Sequence, residues 1–204
     1  MSSILKVDNL QTGAGATHSI SSLGITSPGT VLQEIHGFCD GRTVSGITFP
    51  TVTAQHVQST SYQDIPGSNI TYTPPAGTKT VVYIFSFHFH TDEYSGISHY
   101  KAFIDSDEIV VARRTIASSY DSNHQATFHL TFEYPILIDS SLASDDVSNA
   151  KLKSWTSGKT LKMQGREYSS TYESTLHRNS WWDGAGASGT NNVSMPTISI
   201  KAIA

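Results

Sequence analysis

The stretch VVYIFSFHFHTDEYSG, from Val81 to Gly96, is a strongly apolar run that ends in two histidines one residue apart. In a β-strand successive side chains point to opposite faces. The odd-numbered positions from Tyr83 to Phe89 are all aromatic, whereas the even-numbered positions from Val82 to His90 become polar towards the end. This alternation predicts a central strand with its aromatic face in a hydrophobic core.

The composition is that of a β-rich protein. The chain has 204 residues, of which 37% are hydrophobic, 10% aromatic and 15% charged. Globular proteins average roughly 25% charged residues, and Ser and Thr fill the difference here. The apolar content is sufficient for one sizeable core, so a folded domain is expected.

From Thr30 onward the chain reads as short strand-like runs separated by Gly, Pro, Asp and Ser turns. The Pro74–Gly77 segment, for example, ends one run and precedes the strand that contains Tyr83. No helical periodicity extends over a helix length, and the best exception is a short helical turn within residues 140–151. The pattern predicts an all-β fold, an antiparallel sandwich or jelly roll.

Residues 1–30 differ from the rest of the chain. A short alternating segment, ILKVDNL (residues 4–10), leads into a stretch rich in small residues and broken by Gly24, Pro28 and Gly29. Such a segment buries too little apolar surface to fold alone. We therefore expect an extended N-terminal arm at 1–30 and a β-domain at 31–204.

Charge and hydropathy exclude several classes of partner. The net charge is −4 without a basic run, so nucleic-acid binding is not expected. No apolar stretch reaches the ~20 residues of a membrane helix, and the N-terminus lacks the apolar segment of a signal peptide. Cys39 is the single cysteine, which excludes an internal disulfide and predicts a small buried side chain.

His88 and His90 raise the question of a metal site. They lie on one predicted strand face, and Glu93 and His129 are the available further ligands. Cupins use a His-x-His pair followed by Glu after three or four intervening residues, but only two residues separate His90 from Glu93 here. We expect a polar or subunit-interface face and no metal or cofactor, with a cupin-like metal protein as an alternative. Around a three-fold axis, one such histidine per chain would make a ring that could hold an ion.

A second candidate site lies in the segment from His177 to Asn192. Trp181 and Trp182 beside Asp183 could stack on a sugar ring, and in the alternative interpretation one tryptophan fills the core while Asp183 begins a turn. No serine-hydrolase, phosphate-loop or zinc-protease motif occurs in the sequence. His36 lies three residues before Cys39, which is weak support for a nucleophile. The sequence therefore predicts a non-enzymatic protein.

Four short stretches resemble structural appendage proteins of tailed phages, especially marine ones. They are SSILKVDNLQTGAGAT (2–17), NITYTPPAGTKTVVYIFSF (69–87) and the pair NSWWDGAG (179–186) and SMPTISIKAI (194–203). The match covers about half the chain at motif level. In that family the first segment leads into a linker, and the others belong to a C-terminal β-domain.

The resemblance implies a fibre, spike or decoration subunit, usually trimeric, with a jelly roll like that of tumour necrosis factor and C1q proteins. The arm would bind capsid, portal, neck or tail proteins, and distal loops could contact a host glycan or receptor. Such a protein is made in the host cytoplasm and ends in the virion, and the family supplies no catalytic residues. The candidate contacts of the arm are its apolar side chains, Ile4, Leu5, Val7 and Leu10. A carbohydrate-binding module using Trp181, Trp182 and Asp183 is the alternative function.

Overall fold

The computed structural model describes residues 9–11, 17–19, 27–91, 96–117, 126–171, 173–181 and 190–204. Over these residues the chain is all-β, with one 3-10 turn at Val147–Asn149 inside the segment where a helical turn was predicted. The strands in chain order are β1 (Asn9–Gln11), β2 (Thr17–Ser19), β3 (Val31–Phe38), β4 (Thr43–Val44), β5 (Ile47–Thr48), β6 (His56–Val57), β7 (Gln63–Asp64), β8 (Ile70–Tyr72), β9 (Thr80–Thr91), β10 (Ile97–Ile104), β11 (Asp107–Ala117), β12 (Ala126–Ile138), β13 (Lys151–Leu152), β14 (Lys159–Glu167), β15 (Ser174–Leu176), β16 (Arg178–Trp181), β17 (Thr190–Val193) and β18 (Thr197–Ile203).

The predicted central strand is β9, and its alternation is confirmed. Tyr83, Phe85, Phe87 and Phe89 are all buried, with at most 2% of their surface exposed. β9 pairs along its whole length with β12, from Thr80 opposite Leu137 to Thr91 opposite Ala126. Its other edge is shared by β18 along the first half and β15 at the end.

This large sheet has seven strands. β3 pairs with the far edge of β18, β6 with β15, and β13 runs parallel beside β12. All its other pairings are antiparallel, as the sequence predicted.

A small sheet of five strands lies against the large one. Its order is β11-β10-β14, and both β7 and β8 pair with β14. β10 and β11 form a hairpin whose turn is Asp105–Ser106, with Asp105 at a φ of 55°. Asp tolerates this left-handed conformation better than most residues because its short side chain makes local hydrogen bonds. Here the Asp105 carboxylate accepts a hydrogen bond from the Thr160 backbone N–H at 2.8 Å.

The core fills the space between the inner faces of the two sheets. Phe87 and Phe132 of the large sheet contact Tyr100 of the small sheet, with ring centroids 5.8 and 5.0 Å apart. The Tyr134 hydroxyl donates to Met163 Sδ across the same space at 3.6 Å. Contacts of this kind make both sheets depend on one core.

The predicted arm is described only in part. β1 and β2 pair antiparallel, with Leu10 opposite His18. β3 starts at Val31, and the backbone N–H of Ala204 donates to the carbonyl of Thr30. The division into an arm at 1–30 and a domain at 31–204 stays a prediction. The all-β antiparallel class is thus confirmed, while the arm's anchoring role and the jelly-roll assignment stay predictions.

Candidate interface and histidine pair on the large sheet

The large sheet has one face away from the core, which we call the outer face. The strand register places on it Glu34, His36 and Phe38 of β3, Thr197, Ser199 and Lys201 of β18, Val82, Ile84, Ser86, His88 and His90 of β9, and Thr127, His129, Thr131, Glu133 and Pro135 of β12. The even-numbered positions of β9 are therefore on the face that the sequence assigned to them.

The outer face carries little formal charge. Glu34 and Lys201 form an ion pair at 3.2 Å, and Glu133 is the third charged residue among those just named. The other positions are hydroxyls, histidines and apolar side chains, including Phe38 with 48% of its surface exposed. Across β9 and β12, the hydroxyls of Ser86 and Thr131 hydrogen bond at 2.9 Å. A face of this composition needs little dehydration of ions to be covered by another protein.

His88 and His129 face each other across β9 and β12. They are directly opposite in register, and their ring centroids lie 5.4 Å apart with planes at 82°. Burial lowers the pKa of His88, and the nearby His129 lowers it further. His88 Nδ1 is buried and has no hydrogen-bond partner among the described residues. The sequence named both histidines as candidates, and the fold brings them together.

His90 lies on the same face, but its ring has a hydrogen-bond partner. Its Nδ1 hydrogen bonds with the hydroxyl of Thr127 at 2.7 Å, and only 1% of its surface is exposed. Glu93 lies outside the described residues. Within the described part of the chain, no group of three or more His, Cys, Asp or Glu side chains could hold a metal ion.

His177 was named from the sequence only as the first residue of the second candidate segment, and its burial was not predicted. Its Nε2–H donates to the carbonyl of Pro66 at 2.9 Å, and its ring packs edge-on against Phe85 and Phe87. Burial lowers its pKa to about 4. The residue follows a three-residue strand at a φ of 60°, where no periodic pattern marks it.

The small sheet presents a different, charged face to solvent. Lys101 Nζ lies 4.3 Å and the Arg166 guanidinium carbon 5.6 Å from the centre of the Tyr62 ring. Lys101 also pairs with Glu108 at 3.1 Å, and Lys162 pairs with Asp64 at 3.0 Å. The cations named here thus have partners within the chain.

Cys39 does not have the environment of a nucleophile. Its side chain is fully buried, and its Sγ–H donates to the carbonyl of Gly67 at 3.2 Å. Burial raises the pKa of the thiol to about 12, whereas His36 lies on the outer face. The buried cysteine predicted from the sequence is confirmed.

The proposed sugar-binding and anchoring residues are only partly described. The Trp181 backbone lies at the end of β16 opposite Thr190, and Leu10 lies in β1. Trp182, Asp183, Ile4, Leu5 and Val7 lie outside the described residues. Their roles stay predictions from the sequence.

Comparisons with known proteins give a weak structural similarity. No protein-family model matches the chain, and no curated protein matches it. A solved structure described as infectious bursal disease virus Gx strain aligns over 77% of this chain and 38% of its own, with 10% identity and a TM-score of 0.24. At that level the similarity carries no argument about function. No helix in the described part of the chain is long and apolar enough to cross a membrane.

Proposed function

We propose that this protein is a structural subunit of a virion, a fibre, spike or decoration protein without enzymatic activity. Its arm, residues 1–30, attaches to capsid, neck or tail proteins, and its β-domain projects. The motifs at both ends of the chain support the virion assignment. The structural observation that carries the proposal is the outer face, which is large, low in charge and partly apolar.

The strand order supports a jelly-roll domain. One layer reads β3-β18-β9-β12 and the other β8-β14-β10-β11. Among these eight strands the chain changes layer after β3, β8, β9, β11, β12 and β14. The first and last of them, β3 and β18, are neighbours. Two nested Greek keys give this arrangement, in which the chain crosses repeatedly between two layers of four strands.

The outer face is proposed as the contact between subunits of a homotrimer. Three copies related by a closed rotation can each cover part of the next copy. Such a contact would remove the exposed Phe38 side chain from water while burying few ions. The small sheet's face, whose ions are paired within the chain, stays in solvent.

Mass measurement by light scattering tests this proposal, with a matched pair of variants. The wild-type protein is expected at three times the 22.1 kDa of one chain. Thr131→Arg puts a bulky cation in the middle of the outer face and is expected to give monomers, since an unpaired charge is costly to bury. Thr115→Arg is the control, because Thr115 is also an exposed strand threonine hydrogen bonded to its cross-strand neighbour, His99.

A wild-type monomer at micromolar concentration would contradict the trimer. A trimer that persists in Thr131→Arg but is lost in Thr115→Arg would contradict the proposed contact, because it would place the subunit contact on the small sheet. The arm is tested by a map of the assembled particle, in which residues 1–30 are expected to contact capsid, neck or tail. An arm that projects away from the particle would contradict its anchoring role.

A further inference from the structure

The geometry of the outer face points to a site that the proposed function does not require. We propose that His88 and His129 of one chain bind a divalent transition-metal ion of the zinc, nickel and copper class through two imidazoles. The two residues occupy directly opposed positions on adjacent antiparallel strands. Side chains at such positions leave the sheet on the same side with Cβ atoms about 5 Å apart.

The separation of the rings fits two ligands of one ion. Zinc–imidazole bonds are about 2.0–2.1 Å long, so each ring centre of a bound histidine lies about 3 Å from the ion. At a tetrahedral angle the two ring centres are then about 5 Å apart. The observed separation of the ring centres is 5.4 Å, close to this value. The ring planes are inclined at 82°, edge to face, so the rings have to rotate about their side-chain bonds for one nitrogen of each to reach a common ion.

The surroundings favour an ion of this class. Imidazole nitrogen is a preferred ligand of zinc, nickel and copper, whereas calcium and magnesium need oxygen ligands. The neighbouring cross-strand pairs on this face are Ser86 with Thr131 and His90 with Thr127. They contribute three hydroxyl groups and no lysine or arginine. His88 Nδ1 has no hydrogen bond within the described residues that an ion would have to break. Two cations near this face have carboxylate partners: Lys201 pairs with Glu34, and Arg42, which lies over the Phe38 ring, pairs with Asp40.

Two protein ligands define a weaker site than a structural zinc centre. In the free chain, water fills the remaining positions of the ion. Binding is therefore expected to be saturable, with one ion per chain, and to leave the fold unchanged. The inference rests on the geometry of one chain and not on the proposed virion role.

Calorimetric titration of the full chain with Ni²⁺ and Zn²⁺ tests the site. Wild type is expected to bind one ion per chain, and His88→Gln and His129→Gln are each expected to weaken binding at least tenfold. His36→Gln, which removes another histidine of the same face, and His99→Gln, on the small sheet, are expected to bind like wild type. The electron paramagnetic resonance spectrum of bound Cu²⁺ is expected to show two nitrogen ligands, lost in both site variants.

Several results would overturn the site. They are no saturable binding up to millimolar metal, equal binding by His88→Gln and His129→Gln with an unchanged near-ultraviolet circular dichroism spectrum, or equal binding of Ca²⁺. Because His129 is exposed, His129→Gln serves as the variant that keeps the fold if His88→Gln does not. The mass of the protein, measured with and without EDTA, separates the two proposals. A trimer that binds no metal overturns only this inference, and a monomer that binds one ion per chain overturns only the trimer.

Discussion

The two sheets differ in the charged residues on their solvent-side faces. On the small sheet, Lys101 and Lys162 each have a carboxylate partner within the chain, and Tyr62 lies beneath two cations. On the large sheet the corresponding positions are mostly hydroxyls, histidines and aliphatic side chains. Strong hydration favours leaving the first face in water, whereas the second can be covered at low cost. The domain thus has one solvent-side face rich in paired ions and one with few ions, and the proposed trimer contact uses the second.

Both faces depend on the same core, and Phe87→Ala is expected to have the largest effect. Phe87 is 2% exposed and contacts Tyr100 of the opposite sheet and Phe132 of its own. Its truncation is expected to lower the free energy of unfolding by about 3–5 kcal/mol, through lost burial and the cavity left behind. Urea unfolding followed by fluorescence measures this loss.

Phe103→Ala is the matched control, because Phe103 lies on the charged face of the small sheet beneath Lys162. It is expected to lower the free energy of unfolding by about 1 kcal/mol or less. Two separate unfolding transitions in Phe87→Ala would mean that the sheets are not one cooperative unit. The solvent-side faces of the large and the small sheet would then belong to two separately unfolding units.

The second prediction concerns pH and His177, beneath the large sheet. Its pKa of about 4 lies below the usual 6.5, so the unfolded chain binds a proton first as the pH falls. The contribution of the neutral His177 ring to the free energy of unfolding is therefore fully present above about pH 7. It decreases as the pH falls from 6.5 to 4, and the loss from pH 7 to pH 5 is about 2 kcal/mol. The nearby charges of His56 and His88 lower its pKa further, while the hydrogen bond to the Pro66 carbonyl opposes them.

Urea unfolding of wild type and His177→Gln at pH 7 and pH 5 measures this contribution. The variant keeps a donor for the Pro66 carbonyl but does not titrate, so the difference between the two proteins is expected to shrink by about 2 kcal/mol at pH 5. Glu167, whose pKa is raised by burial, acts in the opposite direction in both proteins and cancels. His99→Gln, on the small sheet, is the control and is expected to keep most of the wild-type pH dependence. A constant difference between wild type and His177→Gln would contradict the buried neutral imidazole.

The sequence predicted the features that depend on local periodicity. Alternation along β9 is a property of neighbouring residues, so the aromatic inner face from Tyr83 to Phe89 and the turn at Pro74–Gly77 followed from the sequence. The pairing partner of β9 does not follow from alternation, because the chain forms β10 and β11 in the other sheet before it returns as β12. The register that places His129 opposite His88 is therefore set by long-range packing and not by a local turn.

The residues whose burial was not predicted from the sequence are isolated ones. His177 and Trp155 are buried, but neither belongs to a periodic run, and their environments come from distant segments. Trp155 Nε1–H, for example, donates to the carbonyl of Tyr72 at 3.2 Å. The stacking of Lys101 and Arg166 on Tyr62 likewise joins three segments that are far apart in the chain. Local patterns identify the faces of a strand, whereas these sites require the tertiary arrangement.

The smallest expected effect compares one ion pair from each face. Glu108 of the small sheet pairs with both Lys101 and Arg113, and 18% of its side chain is exposed, against 50% for Glu34 in the pair with Lys201. Glu108→Gln is expected to lower the melting temperature by about 2 °C at low salt, and Glu34→Gln by less, because solvent screens exposed pairs. In 1 M NaCl both differences are expected to vanish, since the screening length is then about 3 Å. A loss in Glu108→Gln that persists at this salt concentration would contradict the assignment of the small-sheet face to solvent. A larger, salt-resistant loss in Glu34→Gln would instead place β3 within the covered face of the large sheet.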